Sequence, residues 1–267
     1  MKIAVLGAGK MGLAFSKSFL KYDLIKPKDL HLITRNQLRK TEILEEFPES
    51  HVSSFDEIQE VDADLIIVAV KPQDFAFVAE NLPFRISEKS LVLSIMAGIS
   101  IEKIQKALNH QFVVRSMPNS PTLLGMGITG YTAAEGISFN QLIQVERLLN
   151  STGRSVYLED ESLLDGVTAL SGSGPAYFYY IVDAMIKAGT EMGIEENLSK
   201  LFVKQTMLGA YHLINNSEKS LDELIEDVAS KGGTTEAALK TFGDNHLKEA
   251  LKKGILSAEN RARELNS

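Results

Sequence analysis

One turn near the start of the chain constrains its fold more than any other feature. An apolar run at residues 3–6 leads directly into Gly7-Ala8-Gly9-Lys10-Met11-Gly12, and a helix-compatible stretch follows. In such a strand–turn–helix unit the first glycine permits a tight turn and the second lets the backbone approach a pyrophosphate. The third lets the helix pack close to the strand, and the free N–H groups that begin the helix face the phosphates. We predict that these six residues bind a dinucleotide; the alternative is a glycine turn without a ligand.

The first half of the chain repeats this alternation of strand and helix. Short apolar runs alternate with helical patterns, which is typical of a parallel, doubly wound sheet. The predicted strands are residues 3–6, 30–34, 65–70, 91–95, 112–116 and 128–131, and the predicted helices are residues 11–21, 37–46, 73–80, 101–108 and 140–149. The run at residues 64–70 is apolar on both faces, as a central parallel strand requires. We therefore predict an N-terminal Rossmann-like α/β domain over residues 1–160.

Helical patterns alone remain after about residue 160. They cover residues 175–192, 198–214, 221–229, 235–242 and 247–264. Ser220 and Glu223 have the spacing of a capping box, which predicts the start of one of these helices. The sequence thus predicts an all-helical second domain over residues 161–267, after a polar stretch at residues 158–162.

The predicted helix at residues 175–192 is apolar almost all round. A helix on the outside of a monomer normally shows a polar stripe, but here only Asp183, Lys187, Thr190 and Glu191 interrupt the apolar surface. The helix is either buried between two chains of an obligate dimer or wrapped by its own domain. We favour the dimer.

Composition excludes several classes of partner. The formal net charge is −7, so the summed field favours neither nucleic acid nor an anionic membrane. The chain has no cysteine and its five histidines are scattered, so we expect no metal site. No apolar run approaches the length of a membrane span, and the first residues are typical of a core strand rather than a signal peptide. We expect a cytoplasmic protein that acts on a small molecule.

The end of the second predicted strand favours one cofactor. NAD-binding folds usually carry an acidic residue there, which binds the ribose 2′-OH, whereas NADP binders carry a basic residue. This chain has Thr34, Arg35 and Asn36. Arg35 can hold a 2′-phosphate in a forked contact, and its neighbours can add a hydrogen bond. We expect NADP(H), with NAD(H) as the alternative cofactor; an ordinary exposed arginine is the other interpretation.

Three further strand ends should lie at the same edge of the sheet, where cofactors collect. The first is Ala69-Val70-Lys71-Pro72, in which Pro72 ends the strand and leaves Lys71 near the cofactor's ribose or phosphates. The second ends in Ala97-Gly98, whose small residues would let a nicotinamide ring approach. The third carries Asn119, which could bind a ring amide or the substrate.

A second glycine-rich turn lies between two predicted helices. In Ser230-Lys231-Gly232-Gly233-Thr234-Thr235 one helix has ended and another begins. The amides of Gly233, Thr234 and Thr235 would be donors at a helix N-terminus and could hold a carboxylate. The alternative is an ordinary helix–helix connection with an N-cap, and composition alone favours that alternative.

Four motifs in order resemble the pyrroline-5-carboxylate reductase family. They are the first glycine turn, Ala69-Val70-Lys71-Pro72, Ser171-Gly172-Ser173-Gly174-Pro175-Ala176 and Gly232-Gly233-Thr234-Thr235, and the resemblance runs from residue 1 to about 264. It implies reduction of (S)-1-pyrroline-5-carboxylate to L-proline with NAD(P)H, the last step of proline synthesis. It also implies a helical dimerisation domain and dimers that assemble into rings, typically decamers.

The resemblance also implies individual site residues. The cofactor residues are Gly7 to Gly12, Thr34 to Asn36, Ala69 to Pro72, Ala97 and Gly98. The substrate residues are Ser230, Gly233, Thr234, Thr235, Glu161 and Glu218. Where the family often supplies an asparagine to the adenosine, this chain has Asp56, which does not suit that contact.

Thr235 is the predicted catalytic residue. Its hydroxyl would bond the ring nitrogen of the imine, orient it and relay a proton that comes finally from water. Two rival functions are a β-hydroxyacid dehydrogenase and a non-catalytic NADP sensor. The first would place a lysine four residues after Gly174, where this chain has Phe178, and the second needs no carboxylate pocket.

Overall fold

The chain folds into two compact units. The computed structural model describes the backbone of residues 1–266 and the side chains of residues 1–265. The first unit comprises Met1–Ser173 and a C-terminal segment that begins at Ala258, and the second comprises Gly174–Ser257.

An eight-stranded sheet forms the centre of the first unit. Its order is β3-β2-β1-β4-β5-β6-β7-β8. The strands are β1 (Ile3–Leu6), β2 (Leu30–Thr34), β3 (His51–Ser54), β4 (Leu65–Val68), β5 (Leu91–Ser94), β6 (Val113–Met117), β7 (Gly127–Ala133) and β8 (Gly153–Tyr157). Strands β1 to β6 are parallel to one another, whereas β7 is antiparallel to β6 and parallel to β8. The predicted fold class is confirmed; the prediction lacked the two edge strands and the reversal at β7.

Helices cover both faces of this sheet. They are α1 (Lys10–Lys21), α2 (Gln37–Glu46), α3 (Pro72–Glu80), α4 (Ile101–Leu108), α5 (Phe139–Asn150) and α6 (Leu163–Val167). Along β1, Ile3 and Val5 join the core on one face, while Ala4 and Leu6 join the core on the other. All four are buried, because successive side chains of a strand point to opposite faces. The sheet is therefore a buried middle layer, and its polar chemistry lies at the strand ends.

A buried ion cluster holds residues 161–173 in the first unit. The guanidinium of Arg115 on β6 is 3% exposed and donates to Glu161 at 2.8 Å and to Asp165 at 3.2 Å. Glu161 Oε1 also accepts the N–H of Ile101 at the start of α4, at 2.8 Å. These contacts explain why the compact unit extends to Ser173. The sequence boundary between residues 160 and 161 stays a prediction.

The second unit is built from helices. They are α7 (Gly174–Glu191), α8 (Glu196–Asn216), α9 (Leu221–Val228), α10 (Thr234–Asp244) and α11 (Leu247–Asn266), the last of which continues into the C-terminal segment. The predicted capping box is confirmed at α9, where Ser220 and Glu223 bond each other's backbone N–H. Helices α7 and α8 pack closely at Gly189, where a Cβ would lie 2.6 Å from Ser199 Oγ.

Helix α7 exposes three of its four aromatic side chains in the single chain. Phe178, Tyr179 and Tyr180 are each more than 60% exposed. Its own domain therefore leaves this part of the helix uncovered, and these rings add to an exposed apolar surface, a feature that often marks a protein contact. Within the described part of the chain, no helix combines the length and the apolar character that a bilayer crossing requires.

A histidine pair on β2 and β3 predicts how stability depends on pH. Burial, followed by the nearby His51 ring, lowers the pKa of His31 below 6.5. The unfolded chain therefore binds a proton that the folded chain resists, so stability is full above about pH 6.5 and falls as the pH drops toward the folded-state pKa. Urea midpoints should decrease between pH 7.5 and 5.5, and by less in His31→Gln. A His212→Gln control on α8 should show the same decrease in urea midpoint as the unaltered chain. If the midpoint of His31→Gln also decreased by that amount, this assignment would be refuted.

Candidate cofactor and substrate sites

The first glycine turn leaves a row of amides open at the start of α1. The N–H groups of Gly7 and Ala8 both donate to the carbonyl of Ile33 at 3.0 Å, and that of Gly9 donates to the carbonyl of Gly7 at 2.8 Å. Gly9 is the N-cap of α1 and supplies no side-chain cap. The amides of the next three residues therefore have no partner from the preceding turn. They can donate to an anion.

The three glycines of this turn meet three different surroundings. Gly7 has a φ of +103°, and a Cβ on it would lie 2.8 Å from the backbone of Ala69 and Val70. A Cβ on Gly12 would lie 2.6 Å from the carbonyl oxygen of Gly7, whereas a Cβ on Gly9 would meet nothing within 4 Å. Gly7 and Gly12 are thus required by packing. Gly9 instead keeps space open above the turn, as a bound pyrophosphate requires.

The corner after β2 offers one exposed cation. Thr34 is buried at the strand end, and Asn36 uses its side-chain oxygen to cap α2 by accepting the N–H of Arg39 at 3.1 Å. Arg35 is 79% exposed, and its guanidinium donates to Asp74 on α3 at 2.9 Å. Of the three predicted residues, Arg35 is therefore the one whose side chain can reach a phosphate. Its pairing with a carboxylate was not predicted.

The ends of β4 and β5 lie at the same edge of the sheet. Lys71 is exposed and is the N-cap of α3, and Pro72 occupies the first position of that helix. No carboxylate among the described residues forms an ion pair with Lys71. Ala97 is half-buried and Gly98 is buried, with a φ of +69° and a Cβ position 3.1 Å from Leu265 Cβ in the C-terminal segment. Asp56 is exposed in the turn after β3, a strand parallel to β2 that ends at the same edge of the sheet.

Asn119 has a structural role in this chain. The side chain is buried; its oxygen accepts the N–H of Ile128 at 3.1 Å, and its amide donates to Ser171 at 3.2 Å. Each polar atom of the side chain thus has one partner inside the protein, and the predicted contact with a ring amide or substrate stays a prediction.

The geometry of the first unit fits a dinucleotide. Open amides, the space above Gly9 and the exposed cations Arg35 and Lys71 lie where the parallel strands β1, β2 and β4 end. Among the described residues, no group of three or more histidines, aspartates or glutamates could hold a metal ion.

The second glycine turn begins α10 in the second unit. Gly232 has a φ of +74°, and Gly233 is the N-cap, without a side-chain cap. The N–H of Gly233 donates to the carbonyl of Ser230 at 2.9 Å, and that of Gly232 donates to the carboxylate of Glu236 at 2.7 Å. The expectation that the Gly233 amide holds a carboxylate is therefore corrected, because this amide closes the turn. As at α1, the amides of the three residues after the N-cap, Thr234, Thr235 and Glu236, have no partner from the preceding turn.

Shape explains why glycine occupies position 233. A Cβ there would lie 2.5 Å from Ser230 Oγ and 2.9 Å from the Ser230 carbonyl oxygen. Ser230 and Thr234 are exposed, and Thr235 is half-buried. Gly233 thus fixes the turn that presents the next two residues.

The two predicted glutamates have different surroundings. Glu161 belongs to the ion cluster of the first unit described above, whereas Glu218 is exposed in the loop between α8 and α9 of the second unit. The carboxylate of Glu161 already has two partners, so its observed role is to join α4 to β6. The substrate roles of both residues stay predictions.

Sequence reasoning missed Arg115. An arginine inside an otherwise apolar strand, in the run Val113-Val114-Arg115-Ser116-Met117, indicates a buried charge that needs carboxylate partners. That signal was present, but the partners, Glu161 and Asp165, lie far away along the sequence.

Comparisons agree with both units. Residues 2–98 match the family described as "NADP oxidoreductase coenzyme F420-dependent", which puts the first unit in the class of nicotinamide-dependent oxidoreductases. Residues 161–265 match the description "Pyrroline-5-carboxylate reductase dimerisation".

Full-length relatives narrow this class to one family. Pyrroline-5-carboxylate reductase 2 of Bacillus subtilis is 33% identical, covering 99% of this chain and 95% of that protein. The Pseudomonas aeruginosa enzyme is 34% identical over 99% of this chain and 96% of its own. A crystal structure of Plasmodium falciparum pyrroline carboxylate reductase with NADP bound has a TM-score of 0.87 and 26% identity, covering 100% of this chain and 98% of that one. The chain belongs to the pyrroline-5-carboxylate reductase family.

The first two glycines of the first turn, Gly7 and Gly9, predict opposite results on alanine substitution. Gly9→Ala should leave the free energy of unfolding within about 1 kcal/mol, but should weaken NADPH binding at least about tenfold by filling the open space. Gly7→Ala should destabilise the fold by about 1–3 kcal/mol from backbone strain alone. Urea denaturation and cofactor titration separate the two effects. Unchanged NADPH binding by a folded Gly9→Ala variant would contradict the proposed position of the pyrophosphate.

Proposed function

We propose that this chain reduces (S)-1-pyrroline-5-carboxylate to L-proline with NAD(P)H. The observation that carries the proposal is the similarity to curated reductases over essentially the whole chain. A β-hydroxyacid dehydrogenase would need a lysine where the chain has Phe178. A non-catalytic sensor would need neither the second turn nor its open amides.

The cofactor would be held mainly by backbone. The amides that begin α1 would bind the pyrophosphate, and the macrodipole of that helix adds to the attraction. Lys71 and Pro72 would border the ribose, and Ala97 and Gly98 would border the nicotinamide. We propose NADP(H) as the preferred cofactor because Arg35, rather than an acidic residue, follows β2. NAD(H) is the alternative.

The second turn would hold the substrate. A carboxylate placed at the start of α10 would accept hydrogen bonds from the amides of Thr234 and Thr235, with Gly233 fixing their direction. The Glu236 carboxylate accepts the N–H of Gly232 in the same turn, so it does not use the two amides that we propose for the substrate.

Thr235 would act on the imine nitrogen. The nicotinamide of the bound cofactor supplies a hydride to C5 of the ring, and the imine nitrogen must gain a proton. The Thr235 hydroxyl, next to its own amide, can donate to that nitrogen and so orient the reacting carbon. Because threonine is a weak acid, we assign it donation and positioning, with water as the final proton source.

A homo-oligomer would cover the apolar surface of α7. The exposed rings at Phe178, Tyr179 and Tyr180 and the match to a dimerisation domain support this assembly. We propose a dimer as the unit, with the decamer of the family resemblance as its higher form. The substrate, the cofactor and other copies of this chain are the proposed partners, without nucleic acid or membrane, and the cytoplasm stays the predicted location.

The decisive experiment is to follow NADPH oxidation by the purified chain with pyrroline-5-carboxylate and, separately, with hydroxy acids. Thr235→Ala should lower kcat by about 10²-fold or more while NADPH affinity stays within about twofold, because the lost donor acts on the imine nitrogen. Thr235→Ser should retain most of the activity, since it keeps the hydroxyl. An unchanged kcat in Thr235→Ala would remove this role, and turnover of hydroxy acids alone would overturn the proposed function.

A further inference from the structure

We propose that Asp74 is a specificity-determining residue: its carboxylate competes with the 2′-phosphate of NADP(H) for Arg35 and so narrows the preference for NADP(H) over NAD(H). The inference deepens the proposed function and rests on the cofactor site described there. It starts from the ion pair between Arg35 Nη2 and Asp74 Oδ2, which are 2.9 Å apart.

This ion pair spans the place where the adenosine half of the cofactor would lie. Arg35 follows β2, and Asp74 lies in the first turn of α3, which follows β4. Strands β2 and β4 are the two neighbours of β1 in the sheet, and β1 leads into the first glycine turn. The bridge therefore joins the two sides of the cleft above the carboxyl end of β1, where dinucleotides bind in this fold.

NAD-binding folds usually carry an acid at the end of β2. This chain has none there, but its fold brings the carboxylate of Asp74 to the same corner. In NAD-binding folds that acid binds the ribose 2′-OH and repels a 2′-phosphate. Here the acid comes from α3 and lies within hydrogen-bond distance of the arginine that should hold the phosphate. Two anions sharing one guanidinium repel each other at this distance, so phosphate binding must weaken or break the ion pair.

Of the three cations near this corner, Arg35 is the one whose carboxylate partner lies on α3. Arg39 pairs with Glu42, and Lys40 pairs with Glu57. Because the Arg35 and Asp74 side chains are 79% and 35% exposed, their pairing is weak enough to be displaced. The carboxylate thus biases cofactor choice without blocking the cleft.

The test uses the full chain and direct titration with NADPH and with NADH, without the imine. Asp74→Asn should tighten NADPH binding by about three- to tenfold and leave NADH binding within about twofold. Glu80→Gln, which removes the same charge at the other end of α3, should change neither. In an Arg35→Gln background, most of the gain from Asp74→Asn should disappear, and added salt should reduce the gain.

Three results would overturn the proposal. They are unchanged or weaker NADPH binding by Asp74→Asn, an equal gain for NADH, and a full gain that persists without Arg35. The unaltered chain could bind NADPH normally yet fail to reduce the imine. That result would refute the proposed function while the cofactor titrations still decide the role of Asp74.

Discussion

The close approach of the chain to itself at Gly7 is the constraint on which the first unit depends. The turn after β1 lies against the backbone that follows β4, with 2.8 Å between the Cβ position of Gly7 and the atoms of Ala69 and Val70. Gly12 then packs its helix onto the carbonyl of Gly7. No side chain larger than hydrogen fits at these contacts. They direct the start of α1 across the edge of the sheet. The packing that buries the core therefore also leaves the first amides of α1 available to a ligand.

The central elements could be predicted because each is apolar where it is buried. β4 is buried along its whole length, and its sequence reads as a continuous apolar run. β3 and β8 are partly exposed edge strands with polar residues, so their sequences give no such signal. The reversed direction of β7 also escaped prediction, because a buried strand has the same composition in either direction.

In the candidate sites, too, some features could be predicted from the sequence and others could not. Glycines could be identified because a positive φ or a close contact leaves no other choice, as at Gly7 and Gly232. Pairings between side chains that are distant in sequence could not be identified, because Arg35 and Asp74 come together only when β2 and β4 flank β1. The Gly233 amide was assigned to a ligand for a related reason. Whether an N–H bonds within its own turn depends on φ and ψ, which the sequence leaves open.

The N-termini of the helices differ in whether a side chain caps them. Helices α2, α4, α5, α8 and α9 each begin with a side chain that accepts a backbone N–H of the first turn. Such a cap contributes about 0.5–2 kcal/mol. Helices α3 and α6 have no such side-chain cap. Helices α1 and α10 also lack one, and they begin at the glycines Gly9 and Gly233. These two helices forgo that stability and keep donors available, which is what the pyrophosphate and carboxylate sites that we propose would require.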